Sequence, residues 1–104
     1  MDGKRVVWTK VAIEQRDYVF DYWNKRNKSK RYSRKLNKGI RERLEILSKM
    51  PKLGMLTNKQ DYRVFFYKYY GIHYKVSEDF IYVVGFWDNR QSPEKLIEFL
   101  KPLA

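Results

Sequence analysis

Arg63, His73, Tyr74 and Arg90 are the side chains of this sequence best equipped for chemistry at a phosphate. A guanidinium fork grips phosphate oxygens through paired hydrogen bonds and stabilises charge that builds up on them during transfer. Imidazole titrates near neutrality, so His73 is the ordinary candidate for a general base. Aromatic rings offer bases a surface to stack on. Each residue also has a plainer role open to it. Arg63 reads equally as a surface ion-pair residue, Arg90 as a neighbour of a helix cap, and His73 as a hydrogen-bonded or exposed strand residue. The run Tyr67, Tyr69, Tyr70, Tyr74 reads as packing. The sequence has no phosphate-cradling glycine loop and no serine nucleophile motif. With no cysteine and a single His, neither a metal site nor a cofactor is expected.

A second set of residues is set apart by charge. The chain of 104 residues carries a net charge of +11, and residues 1–60 supply all of it, because basic and acidic residues balance beyond that point. Lys25, Arg26, Lys28, Lys30, Arg31, Arg34, Lys35, Lys38, Arg41 and Arg43 are offset within their stretch by Glu42 alone. A solvated helix face mixes both signs, so an excess this one-sided calls for an anionic partner, either nucleic-acid phosphates or an acidic protein.

Positioning these groups falls to one small core. The length suits a single domain over residues 1–104, and aromatic residues at 17% of the sequence supply large buried surfaces. No apolar run approaches the roughly 20 residues of a membrane span, and the start of the chain lacks a signal-peptide core. A cytoplasmic protein without membrane contact is therefore expected. Lys4 to Trp8 reads as a short strand. Thr9 can cap a helix in which Ala12, Ile13, Arg16, Val19, Phe20 and Trp23 recur at three- and four-residue steps, and Asn27 is the expected stop. Ser29 can cap a second helix to Met50 with Leu36, Ile40, Leu44 and Leu47 on one stripe. Gly39 interrupts that helix where the two helices are expected to touch, and Pro51 ends it. A linker this short implies an antiparallel helical hairpin.

From Pro51 to Gln60 the sequence reads as loop, after which the period changes. Tyr62–Tyr67, Tyr70–Val76 and Phe80–Trp87 are β-branched and aromatic, and the turns between them are short, giving a three-stranded antiparallel meander. Ser92, Pro93 and Glu94 open a short C-terminal helix. The fold class is α+β, with helices against one face of the sheet. Alternation puts Arg63, Phe65 and Tyr67 on one side of their strand, and aromatics occupy both sides. A charge inside the core without a partner is costly. Arg63 is therefore expected on the open face, beside His73 and Lys75 or beside Tyr74 as the register decides, with Arg90 at the rim of that face.

The series Val7-Trp8-Thr9 into Ala12, Asp21-Tyr22-Trp23, Arg26-Asn27, Leu47 with Pro51-Lys52-Leu53-Gly54, Tyr62-Arg63-Val64, Gly71 through Val76, and Val83 through Arg90 resembles, in this order, the RelE/ParE superfamily of bacterial toxins. The resemblance implies a toxin of a type II toxin–antitoxin module, held inactive by an often acidic antitoxin encoded beside it. It implies one of two targets. ParE-like members poison DNA gyrase without cutting nucleic acid, whereas RelE-like members cleave mRNA on the ribosome. Where RelE-like members carry an arginine in the strand after the hairpin turn, this chain has Gly71, and Pro93-Glu94-Lys95 replaces their C-terminal His or Tyr. Arg63, Tyr74 and Arg90 match family positions, and with His73 they would be catalytic only in a nuclease. The missing residues favour the gyrase reading over an mRNA endoribonuclease, with a nucleic-acid-binding module that has lost toxicity as a further alternative.

Overall fold

The computed structural model describes residues 3–58 and 61–90. The elements run β1 (Arg5–Trp8), α1 (Lys10–Asn27), α2 (Arg31–Lys49), β2 (Met55–Leu56), β3 (Tyr62–Tyr67), β4 (Tyr70–Val76) and β5 (Phe80–Asp88). They form one five-stranded sheet in the order β1-β5-β4-β3-β2. The meander β3-β4-β5 is antiparallel as its short turns require, while β1 lies parallel to β5, with Val6 beside Ile81 and Trp8 beside Val83. The expected C-terminal helix falls outside the described residues.

Thr9 caps α1 as anticipated, its hydroxyl accepting from the Ala12 amide at 3.2 Å. The helix ends at Asn27 as expected, but the left-handed residue that stops it is the next one. Lys28 takes the left-handed conformation (φ 51°), and its amide donates to the Asn24 carbonyl. Ser29 does accept from the Arg31 amide at 3.1 Å, but the residue at the cap of α2 is Lys30. The buried stripe of α2 is Leu36, Ile40, Leu44 and Leu47, with Ser33 at its start. Ser33 donates to the Asn24 side chain at 2.5 Å and ties the two helices together beside their turn.

Two expectations need correcting. Gly39 does not mark a contact between helices: a Cβ there would overlap the end of the Tyr67 ring, so the glycine lets α2 approach the sheet. The stretch after Pro51 is not all loop either. Met55 and Leu56 pair with Val64 and Arg63 as an edge strand, a segment too short for alternation to reveal.

The sheet buries its helix-facing side. Tyr70, Ile72 and Tyr74 of β4 join Leu36, Ile40, Leu44, Leu47, Ile81, Val83 and Phe86 in one core. Where β1 ends, β5 continues past it without a further strand partner among the described residues. There Gln15 of α1, itself buried, accepts from the Phe86 amide at 2.8 Å and satisfies what would otherwise be an orphaned donor.

Candidate functional site

The four residues singled out for chemistry occupy three separate places. Arg63 is opposite Tyr74 in the register, and opposed residues share a face. Tyr74 is fully buried in the core, so Arg63 is on the helix-facing side and not on the open face. Its charge is tolerated there because its guanidinium donates to the carbonyls of Gly54 at 2.7 Å and Lys52 at 3.2 Å. The Tyr74 hydroxyl closes the same loop, donating to the Pro51 carbonyl at 2.8 Å and accepting from the Gly54 amide at 2.8 Å. Burial pushes the Tyr74 hydroxyl above its ordinary pKa. A Cβ on Gly54 would strike that hydroxyl, so glycine is required. Arg63 and Tyr74 are thus joined in a clasp on the 51–54 loop.

His73 points the other way, between Val64 of β3 and Gly85 of β5. It is 8% exposed, and its Nε2 has no hydrogen-bond partner among the described residues. Burial lowers its pKa to about 4, which makes it a weak base and keeps it neutral near pH 7.

Arg90 lies beyond the far end of β5. Asp88 holds it through contacts of 2.6 and 2.9 Å, and its guanidinium sits 4.4 Å from the centre of the Tyr69 ring. Hydrogen bonding to Arg90 is also what depresses the Asp88 pKa. Tyr70 opposes Asp88 in the register, so the Arg63–Tyr74 clasp and the Arg90 corner are about 13 Å apart along β4.

Arg90 forms one wall of a feature that periodicity did not single out. A cleft of about 390 Å³ runs between α1 and the ends of β4 and β5, lined by Tyr18, Tyr22, Trp23, Arg26, Tyr70 and Arg90 among others. Trp23 Nε1 donates to the Tyr70 hydroxyl at 2.9 Å and fixes the floor. Tyr18 and Tyr22 stay 70% and 47% exposed. Their spacing with Arg26, at i, i+4 and i+8, was the available signal.

The nine cations Lys25, Arg26, Lys28, Lys30, Arg31, Arg34, Lys35, Lys38 and Arg41 are all exposed at the α1–α2 hairpin. Among the described residues, the one ion pair in this group joins Lys25 to Asp21 at 2.9 Å. A second concavity of about 550 Å³, lined by Asn27, Ser29, Arg31, Tyr32 and Lys35, opens at the turn. The Trp23 and Tyr32 rings meet edge to face at 4.9 Å between the two hollows. The cations are thus exposed along the two helices and their turn, while the four residues suited to chemistry lie apart from one another.

A family model for the ParE toxin of the type II toxin–antitoxin system, parDE, matches residues 6–93. Among solved structures, the chain is similar to one from the chromosomal ParDE TA system of P. aeruginosa. The TM-score is 0.69 at 15% identity, over 80% of this chain and 92% of that one. At that identity the likeness speaks for the fold alone. No curated protein matches the sequence.

Proposed function

Because this chain belongs to the ParE toxin family of type II toxin–antitoxin systems, we propose that it arrests growth by binding and poisoning DNA gyrase in the cytoplasm, without cutting nucleic acid. The partner that restrains it would be an acidic antitoxin encoded beside it.

The dispersal of Arg63, Tyr74, His73 and Arg90 carries this reading. RNA cleavage through the 2′-hydroxyl needs a base at that hydroxyl and a cation at the phosphate, both within hydrogen-bond reach of one nucleotide. Here the base candidate, His73, is buried on one face of the sheet. Arg63 and Tyr74 are engaged with backbone groups on the other. Arg90 is held by Asp88 at a third place. A nucleotide seated at any of these places would be out of reach of the others. Binding to a protein–DNA machine asks for no such convergence, only for a complementary surface, and the cationic hairpin with its neighbouring aromatic cleft offers one.

The same hairpin would also suit ribosomal RNA, so ribosome-dependent mRNA cleavage is the competing outcome. Controlled expression in a bacterium separates the two. We expect a DNA-damage response while transcripts stay full length, and inhibition of gyrase supercoiling by the purified chain. Rapid transcript cleavage with supercoiling untouched would reverse the assignment. Absence of both, with growth unaffected, would leave a binding module without toxicity. Co-expression of the short reading frame beside the gene should restore growth.

A further inference from the structure

The side of α2 turned away from the sheet is a row of cations. Leu36, Ile40, Leu44 and Leu47 fill the buried side, while Arg31, Arg34, Lys35, Lys38 and Arg41 are exposed opposite them. Recurring at steps of three and four, they align along the helix and span about 15 Å at its rise per residue. Lys28 and Lys30 prolong the row across the turn. Among the described residues none of the five cations from Arg31 to Arg41 has an ion pair.

The start of this row works against the helix. Its first turn holds no acid, so Arg31 and Arg34 face the positive end of the helix dipole, where cations are unfavourable. Unpaired like charges at i and i+4 also oppose helix formation. A row kept against both effects is explained by something outside the chain.

Its composition indicates what that is. No large apolar side chain is exposed between Trp23 and Glu45. A protein partner would need an apolar or aromatic centre to its interface, and lysine is depleted in such centres. Single-stranded nucleic acid would need free rings on which to stack bases. The nearest rings, Trp23 and Tyr32, are half-buried against each other. Duplex phosphates ask for cations alone, because the bases are already stacked within the helix. The large apolar groups exposed among the described residues lie outside the row, among them Tyr18 and Tyr22 in the cleft, Ile46 further along α2, and Met50, Leu53, Met55 and Leu56 by the sheet edge.

We infer that the row from Arg31 to Arg41 binds the phosphate backbone of duplex DNA. The inference deepens the gyrase reading by putting the toxin in direct contact with the DNA that such an enzyme holds. It is measured without gyrase, so the two can fail separately.

The test is fluorescence anisotropy of a short labelled duplex of arbitrary sequence with the purified full-length chain across a salt series. Two variants remove four positive charges each. One carries R31Q, R34Q, K35Q and K38Q on the row. The other carries K10Q, K49Q, K52Q and K75Q at exposed positions off it, and circular dichroism checks that both are folded. We expect the row variant to lose tenfold or more in affinity. The slope of log K against log salt should flatten by about 0.9 for each phosphate contact removed. The second variant should keep most of both. Equal losses in the two variants would overturn the inference, since binding would then follow net charge alone. So would poly-glutamate or single-stranded RNA competing as well as duplex DNA, or a wild-type chain that does not bind. Any of these leaves the supercoiling assay to decide the gyrase reading independently.

Discussion

A neutral imidazole shut into a sheet makes stability depend on pH in a defined direction. His73 titrates at about 4 when folded, below the ordinary value near 6.5 of an unfolded chain. As pH falls from about 6.5 towards 4, the unfolded chain takes up a proton that the folded one refuses, so stability drops across that window. The shift corresponds to roughly 3 kcal/mol in all, and it is fully present as stability only above the upper limit. Urea unfolding between pH 7 and 4 reads the effect. His73→Leu should flatten the profile between pH 6.5 and 5 and hold stability level or raise it at neutral pH, because the unpartnered Nε2 is removed. Below that range Asp88, depressed by its bond to Arg90, adds its own loss as it becomes protonated. An unchanged slope in His73→Leu would mean that the imidazole is hydrated rather than sealed.

At the scale of elements, α2 owes its position to an absent side chain. Glycine in a helix interior costs about 1 kcal/mol against alanine, so propensity alone predicts that Gly39→Ala stabilises the protein. The Tyr67 ring occupies the space the new methyl would need. We therefore expect Gly39→Ala to destabilise by about 1–3 kcal/mol. In a Tyr67→Ala background the sign should reverse and the gain of about 1 kcal/mol should reappear. A double-mutant cycle in urea measures the coupling, and additive effects would show that helix and sheet can separate without strain.

The charge of +11 is met by little pairing among the described residues. The ion pairs among the described residues are Arg16–Asp17, Lys25–Asp21 and Arg90–Asp88, and pairs near the surface contribute little to stability. Self-repulsion should therefore outweigh attraction, and screening should stabilise the fold. Raising salt from about 10 mM to about 150 mM shortens the screening length from roughly 30 to 8 Å. If about 1 kcal/mol of repulsion is relieved, Tm rises by about 4–8 °C for a domain of this size. Scanning calorimetry or a thermal melt by circular dichroism checks the direction, and a falling Tm would mean that the few pairs dominate.

Much of this was legible in the residues themselves, because it depends on short-range periodicity and composition. The 3.6-residue stripe of α2, the Thr9 cap, the three meander strands and the cationic hairpin are all properties of neighbouring positions along the chain. What tertiary structure alone decided is where long side chains end. Arg63 was expected in the open because a lone charge does not belong in a core, yet the fold supplies the Lys52 and Gly54 carbonyls from a loop nine to eleven residues away. Gly39 is explained by Tyr67 on another element, and His73 is set between Val64 and Gly85 of the strands on either side. Parallel pairing of β1 with β5 joins residues more than seventy positions apart. Local pattern determines which face of an element is apolar. It carries no record of which distant backbone group will satisfy a half-buried charge, because that pairing exists only once the chain has closed on itself.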